Sequence, residues 1–340
     1  MLSHKINSFS IWLLALSLSV VCIILIGGYT RISDSGLSIT EWLPISGILY
    51  PLSEEAWIVE FNKYKLIDEF MLINSGMSLN EFKYIYFWEW FHRAFARFIG
   101  LTYLIPAVYL IISKKIPKEL YLNILLIGVL IAIQAIVGWY MVKSGLSGRV
   151  DVSQYRLFLH LTIAFIILGL IFYSLLRFLY ENQISKNLLK FNKSLLLLFV
   201  LVFSQIIYGA FVSGTDSGLL YNTWPYYNGN LVPNELITKD SYLLNFFENG
   251  EFILFTHRTF ALVLLITVIY INFVIINNVP SHKTLILIIC FDIFFLVQVG
   301  IGILMTIWNI PWYLALAHQG NSVILFLLSI YMWFLSRKPS

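Results

Sequence analysis

Residues 91–96 read FHRAFA and residues 256–261 read THRTFA, and this repeated string reveals how the chain is organised. Each copy lies in a long apolar segment and contributes one histidine, His92 or His257. Two apolar segments further along, each half carries a second histidine, His160 or His318. A long internal repeat in an apolar chain is typical of a protein built from two related structural units. We therefore predict two units with a pair of histidines in each.

The composition indicates a membrane protein. Of the 340 residues, 59% are hydrophobic and 12% are charged, which is too little charge to cover a soluble globule of this size. A membrane-spanning helix needs about 20 mostly apolar residues. Eight segments qualify: 9–29, 84–112, 120–142, 157–179, 195–212, 252–276, 285–307 and 312–335. The predicted fold is an all-α polytopic membrane protein with eight transmembrane helices, arranged as two pseudo-symmetric four-helix bundles.

Further matches support the division into halves. Residues 28–37 (GYTRISDSGL) resemble residues 210–219 (AFVSGTDSGL), and each string closes an odd-numbered span. In the third and seventh spans, Gln134 with Gly138 matches Gln298 with Gly302. A polar stretch at 180–194 separates the halves, so we predict an N-terminal bundle at 1–180 and a C-terminal bundle at 181–340.

The distribution of charge predicts the orientation, because short cytoplasmic loops are enriched in Lys and Arg. One set of connections holds Lys5, Lys114, Lys115, Lys118, Arg177, Lys186, Lys190, Lys193, Lys283, Arg337 and Lys338 but only two acids, Glu119 and Glu181. We predict that this side is cytoplasmic, with both termini, and that all four paired histidines lie near the outer face. The net charge of +4 follows from this topology, and we expect no nucleic-acid partner.

The four histidines are candidate haem ligands. A single membrane histidine more often bonds to a neighbouring helix than binds a ligand, and His4 and His282, at predicted cytoplasmic ends, are interpreted in that way. Four histidines at one depth are different, because two facing helices can offer two axial nitrogens to one haem iron. A zinc site would need three or four ligands. We predict one haem site at His92 and His160 and a second at His257 and His318.

Charged residues surround these predicted ligands. Arg93 and Arg258 directly follow two of the histidines, and a guanidinium is a suitable partner for a haem propionate. Glu89 lies one helical turn before His92, whereas the equivalent position in the second half is Leu254. We predict that Glu89 acts at the first haem, as an acid, a base or a stabiliser of positive charge. The alternative is that Glu89 only pairs with Arg93 at i+4.

The first outer loop has its own apolar pattern. The apolar residues that recur at a roughly helical spacing among charged residues are Trp57, Ile58, Phe61, Leu66, Ile67 and Phe70. This pattern predicts a helix that lies on the membrane surface, either as a packed cap over the bundle or as a docking site for a partner.

In these motifs the chain resembles the haem A synthases over nearly its whole length. The motifs are Glu-x-x-His-Arg from Glu89, the later histidines, and the outer strings at 28–31 (GYTR) and 222–225 (NTWP). Some members carry cysteine pairs in the outer loops. The two cysteines of this chain, Cys22 and Cys290, lie in apolar spans, so the chain resembles the cysteine-free branch typical of proteobacteria and mitochondria. Because we expect a retained first helix and no transit peptide, we predict a bacterial cytoplasmic membrane.

The resemblance implies an activity and a division of labour. The activity is oxidation of a methyl substituent of haem O to the formyl group of haem A, for cytochrome oxidase biogenesis. The N-terminal bundle, with Glu89, His92 and His160, would hold the substrate haem, and the C-terminal bundle would hold a b-type haem on His257 and His318. Implied partners are haem O synthase, the cytochrome oxidase assembly machinery and an unidentified electron donor.

Two other functions would fit parts of the pattern. A two-haem, b-type electron-transfer cytochrome explains four histidines in duplicated bundles, but it does not explain why only one half has Glu89. A transporter would also use repeated bundles, although its site would lie near the membrane midplane.

Overall fold

The computed structural model describes residues 7–180, 188–238, 241–278 and 280–337, and these residues are predominantly α-helical. The eight long apolar helices are α1 (Ser8–Ile32), α4 (Leu79–Ile112), α5 (Tyr121–Gly145), α6 (Gln154–Tyr180), α7 (Asn192–Gly214), α9 (Gly250–Ile276), α10 (His282–Ile307) and α11 (Trp312–Leu335). The short helix α8 (Tyr242–Glu248) lies between α7 and α9. All eight are long and apolar enough to span a membrane. The eight predicted spans are therefore confirmed, with most helices a few residues longer at one or both ends, and the protein is a multi-pass membrane protein.

Capping residues explain several of the longer helix starts. Ser78 and Glu81 form a reciprocal capping box that begins α4 five residues before the predicted span. The side chain of Asn249 accepts hydrogen bonds from two backbone amides at the start of α9, and Ser281 caps α10. Such side chains satisfy the backbone amides that the first helical turn leaves unpaired. A search for apolar runs misses these polar first turns.

The first outer loop packs as a cap on α4. It contains α2 (Glu54–Tyr64) and α3 (Asp68–Leu72), and α2 buries Trp57, Phe61 and Tyr64 against the first turns of α4. At 34 residues α4 is about 51 Å long, whereas the hydrocarbon core of a membrane is about 30 Å thick. The surplus length gives the cap an apolar surface on which to pack. Of the two roles predicted for this loop, the structure shows the packed cap, and partner docking stays a prediction.

The described residues fall into two compact units. One comprises Leu14–Ile171, and the other comprises the described residues within Met1–Leu13 and Phe172–Ser340. We call them the N-terminal and C-terminal units. The bundle boundary predicted from the sequence falls between residues 180 and 181, and residues 181–187, which include Glu181 and Lys186, lie outside the described residues. His4, Lys5 and Lys338 lie outside them as well. The division into two pseudo-symmetric bundles stays a prediction.

In the C-terminal unit, α10 packs against α11, and α7 packs against α9 and α11. The core between these helices is apolar and includes Leu195, Leu264 and Phe291. Asp292, for which the sequence suggests no partner, accepts hydrogen bonds from the Asn272 amide at 2.9 Å to each carboxylate oxygen. This pairing between α9 and α10 explains how an acidic side chain is tolerated inside an apolar span.

One carboxyl group is buried in the cap. The side chain of Glu69 accepts a hydrogen bond of 3.4 Å from Asn74, but its Oε2 atom is buried without a partner among the described residues. Burial, reinforced by the negative charges of Glu89 and of two aspartates, raises the pKa of Glu69 from about 4.5 to about 8. The folded protein therefore retains a proton on Glu69 that the unfolded chain releases above about pH 4.5.

We expect Glu69 to make the cap less stable as the pH rises. Between about pH 4.5 and pH 8 the unfolded chain binds fewer protons at this site than the folded chain, so the free energy of unfolding falls across that interval and then levels off. In Glu69→Gln, the melting temperature of the detergent-solubilised protein, followed by Trp fluorescence, should fall less between pH 5 and pH 8 than in the unmodified chain. Glu54→Gln, an exposed change on α2, is the control; equal slopes for Glu69→Gln and the unmodified protein would contradict the prediction.

Candidate haem-binding sites

The N-terminal unit brings His92 of α4 and His160 of α6 together. Their ring centroids are 6.5 Å apart and the ring planes make an angle of 67°. An imidazole nitrogen binds a transition metal at about 2 Å and the ring centre lies about 1 Å behind it, so two rings on opposite sides of one metal have centres roughly 6 Å apart. The observed separation therefore fits two axial ligands of a single haem iron.

The C-terminal unit places His257 of α9 within electrostatic range of His318 of α11. In both units the second histidine of the pair has an unsatisfied atom: Nδ1 of His160 and Nδ1 of His318 are buried, and no described residue forms a hydrogen bond with either. Buried polar atoms in proteins are nearly always paired, and exceptions are common at functional sites. The pairing of histidines proposed from the sequence is thus compatible with the structure of each unit.

A glycine of a neighbouring helix faces each of the four rings. A side-chain carbon added at Gly27 would lie 3.2 Å from Nε2 of His92, and one added at Gly138 would lie 3.0 Å from Cε1 of His160. The corresponding distances are 3.5 Å from Gly209 to His257 and 3.2 Å from Gly302 to His318. Because protein interiors are close-packed, three of these four positions have little room for any side chain larger than hydrogen. The glycines set how closely each ring approaches the next helix.

Glutamine side chains fix the helix backbone at three of the histidines. Gln134 donates to the carbonyl oxygen of His160 and Gln298 donates to that of His318, each at 3.1 Å. Gln205 of α7 donates to the carbonyl oxygen of His257 at 3.0 Å. Gln134 and Gln298 were visible in the sequence as a repeated pair, but Gln205 was missed because the first half has no glutamine at the matching position.

In the N-terminal unit, Glu89 is 2% exposed and joins α4 to the loop after α1. Its Oε2 atom accepts hydrogen bonds from the Ser38 hydroxyl and from the backbone amide of Ile39, both at 2.7 Å. Its Oε1 atom is 2.5 Å from Nη2 of Arg93. The i+4 pairing with Arg93, which the sequence offered as the alternative to a role at the haem, is therefore present, and the carboxylate has two further donors that sequence spacing did not reveal.

Other side chains on α4 bind the same loop segment, residues 38–48, which we call the strap. Arg93 donates to the carbonyl oxygens of Ile39 and Glu41 at 3.0 and 3.1 Å. Arg97 donates to two further strap carbonyls, those of Leu43 and Pro44, at 3.0 Å each, and Trp90 donates to Ile48 at 3.0 Å. One side of α4 thus satisfies much of the polar backbone of an irregular segment, which such a segment requires next to an apolar bundle.

The two arginines predicted as propionate partners have different surroundings. Arg93 already contacts Glu89 and the strap, and it lines a cavity of about 240 Å³ together with Trp42, Trp139 and Lys143. Arg258 donates from Nη1 to the carbonyl oxygen of Thr223 at 3.2 Å, while its Nη2 is buried with no partner in the described part of the chain. An unpaired buried guanidinium nitrogen is well suited to bind a carboxylate of a ligand.

Known proteins are similar to this chain over most of its length. Residues 10–330 match the sequence model of the COX15-CtaA family, described as cytochrome oxidase assembly protein. The chain belongs to the COX15-CtaA family. It is 41% identical over 325 residues to the heme A synthase of Wolbachia pipientis from Culex pipiens, covering 93% of this chain and 94% of that protein. It is 39% identical over 332 residues to the heme A synthase of Agrobacterium fabrum, covering 97% of this chain and 91% of that protein. It is 38% identical over 325 residues to the heme A synthase of Pelagibacter ubique, covering 94% of each chain. The resemblance found in the motifs is confirmed.

The sequence motifs did not identify one further arginine of this COX15-CtaA member, Arg156, as a candidate site residue. Arg156 lies one helical turn before His160 on α6, its guanidinium stacks 4.7 Å above the Tyr140 ring, and its Nη1 is buried without a partner among the residues that the structure describes. The second half has Leu314 at the matching position, so the search for repeated residues did not find Arg156. The spacing of Arg156 and His160 on one helix face was the signal that could have identified it.

We expect Gly138→Ala to reduce the haem content of the first site. The added carbon would lie 3.0 Å from the His160 ring, so the ring must move, although alanine itself favours helix by about 1 kcal/mol. The measurement is the haem-to-protein ratio of the purified protein, from the pyridine haemochrome spectrum. Gly100→Ala, where a new carbon would meet no described atom within 4 Å, is the matched control. An unchanged ratio in Gly138→Ala would show that the close contact does not position the ligand.

Proposed function

We propose that this protein is a haem A synthase, which oxidises a methyl substituent of haem O to the formyl group of haem A for cytochrome oxidase biogenesis. The observation that carries the proposal is a pair of histidines at ligand spacing beside the buried Glu89–Arg93 pair, in a chain of the COX15-CtaA family. The relatives compared above are named heme A synthases and align over more than nine-tenths of this chain.

In this proposal the N-terminal unit holds the substrate. His92 and His160 bind the haem O iron, and the separation of their rings supports that assignment. The cavity beside the strap has two cationic side chains in its wall, Arg93 and Lys143, which suits the propionate end of the substrate.

Glu89 is the proposed catalytic residue. Arg93 and two hydrogen-bond donors from the strap hold its carboxylate in place. A fixed negative charge one turn from His92 stabilises positive charge that develops on the substrate during oxidation. A loop can be held at this position without an acid. In the C-terminal unit Leu254, which corresponds to Glu89, packs against the loop residues Tyr221 and Tyr227.

The C-terminal unit is the proposed cofactor site. His257 and His318 would hold a b-type haem, and the unpaired Nη2 atom of Arg258 would bind one of its propionates. When bound, such a haem supplies reversible one-electron transfer. The protein's contribution is to orient the two imidazoles, to keep water out of the apolar bundle and to pair the propionate charge.

The cellular setting is also a proposal. The protein lies in the bacterial cytoplasmic membrane, with the lysine-rich connections on the cytoplasmic side and the haem sites near the outer face. Its proposed partners are haem O synthase, which supplies the substrate, the cytochrome oxidase assembly machinery, which receives the product, and an electron donor.

The test is analysis of haems extracted from membranes that contain this chain together with a haem O synthase. We expect chromatography with mass detection to show haem A or its hydroxylated precursor. Glu89→Ala should lower that product at least tenfold while the protein still binds haem, because the variant loses the fixed charge but keeps the histidines. Bound haem with only haems B and O extracted from the unmodified chain would instead support an electron-transfer cytochrome.

Two controls separate the chemistry from anchoring of the strap. Ser38→Ala removes a hydrogen bond of 2.7 Å between the strap and Glu89 but leaves the carboxylate in place. Glu81→Ala removes the helix-capping acid at the start of α4, far from the histidine pair. Both variants should retain most of the product; a loss in Ser38→Ala as large as that in Glu89→Ala would assign the effect to the strap.

Arg258→Leu should weaken haem binding in the C-terminal unit, because the propionate would lose its charged partner. The measurement compares binding of haem B with binding of its dimethyl ester, which lacks the propionate charges. The variant should bind the free acid at least tenfold more weakly and the ester nearly unchanged, while Arg149→Leu, at an exposed position, should change neither. Equal weakening for both ligands would mean that Arg258 acts on folding and not on the propionate.

A further inference from the structure

The two histidine pairs differ in the polar side chains that restrain them. When the halves are aligned through the glycines that face His92 and His257, Gln205 in the C-terminal unit corresponds to Ile23. When the halves are aligned through the second histidines, His160 and His318, Asn321 in the C-terminal unit corresponds to Ile163 in the N-terminal unit. An amide in the second half therefore replaces an isoleucine of the first half at two positions next to the ligands.

Gln205 restrains His257 from the facing helix. Its Nε2 atom donates to the His257 carbonyl oxygen at 3.0 Å, and the same atom lies 3.2 and 3.3 Å from the two ring nitrogens. One amide group thus contacts both the backbone and the ring of the ligand. Isoleucine at position 23 has no donor, so His92 receives no equivalent restraint from α1.

Asn321 restrains His318 through Gln298. It is 8% exposed and donates to the carbonyl oxygen of Phe294 at 2.9 Å and to Oε1 of Gln298 at 2.7 Å. Gln298 in turn donates to the His318 carbonyl oxygen at 3.1 Å. The amide of Gln298 therefore has a defined partner at each end, which fixes its orientation.

The same glutamine is only half satisfied in the N-terminal unit. Gln134 donates to the His160 carbonyl oxygen at 3.1 Å, but its Oε1 atom is buried without a partner in the part of the chain that the structure describes. Ile163, which is 8% exposed, stands where the second half has Asn321. The first pair of histidines is consequently held by fewer hydrogen bonds than the second pair.

This difference matches different requirements on the two sites. A ligand side chain that is already ordered loses less freedom when its partner binds, and residues behind a metal ligand contribute strongly to metal retention. A site that takes up substrate and releases product must exchange its haem, whereas a cofactor site must keep it.

We propose that Gln205 and Asn321 are positioning residues that make the C-terminal unit retain its haem, while Ile23 and Ile163 leave the N-terminal unit exchangeable. The proposal rests on the proposed function for the assignment of substrate and cofactor. The residues act through His257 and His318 and need not touch the haem. Loss of the two amides should raise the rate of haem loss and also alter the environment of the iron.

The experiment measures haem loss from the purified full chain to excess apomyoglobin, with haem B as the probe. Retention in the C-terminal unit is read in a His160→Ala background, which leaves the second pair intact. Gln205→Ile with Asn321→Ile should lose haem at least tenfold faster and shift the midpoint potential of the remaining haem. Thr267→Val, on α9, removes a hydroxyl that bonds only within its own helix and should change neither quantity.

A reciprocal variant guards against simple misfolding. In a His318→Ala background, Ile23→Gln with Ile163→Asn should slow haem loss from the N-terminal unit, because asparagine at 163 would offer a donor to the unpaired Oε1 of Gln134. Slower loss cannot arise from a damaged fold. Unchanged retention in both double variants would overturn the proposal.

The outcome is separable from that of the haem analysis. If the unmodified chain makes haem A but both double variants lose haem at the same rate as the single-histidine variants from which they were made, the positioning roles are wrong and the synthase function stands. If no haem A is made and Gln205→Ile with Asn321→Ile still speeds haem loss, the positioning roles stand and the synthase function is wrong.

Discussion

The contact between an imidazole ring and a glycine of the adjacent helix is the constraint on which both candidate sites depend. A histidine inside an apolar bundle is polar and wide, and close-packed helices leave little space for it. Gly27, Gly138 and Gly302 supply that space, because a side-chain carbon there would lie 3.0 to 3.2 Å from a ring atom, whereas Gly209 faces the fourth ring at an ordinary contact distance of 3.5 Å. Because the rings fit between the helices, His92 and His160 can face one another at a separation that suits one metal ion.

A second constraint is that polar backbone next to an apolar bundle must be satisfied. The strap meets this requirement through Glu89, Trp90, Arg93 and Arg97, which lie along one side of α4. The helix that carries the first histidine therefore also holds the loop that borders the candidate substrate cavity.

The differences between the halves are as informative as the repeat. Glu89 corresponds to the buried Leu254, and two isoleucines correspond to Gln205 and Asn321. One half concentrates charge beside its histidines, while the other concentrates neutral amides that bond to its histidines directly or through Gln298. The two histidine pairs therefore have different surroundings, because the histidines occupy positions that the halves share and the neighbouring polar side chains occupy positions where the halves differ.

The sequence by itself determined the class of fold, the eight helices and the identity of the four histidines, because apolar length and repeated motifs are local properties. It also offered the pairing of Glu89 with Arg93, which lies within one helix, as the alternative to a role for Glu89 at the haem. Only the tertiary structure decided which distant groups meet, such as the Ile39 amide with Glu89 and Gln205 with His257. The physical reason is that these contacts depend on the approach of separate helices and loops, which close packing sets and local sequence does not.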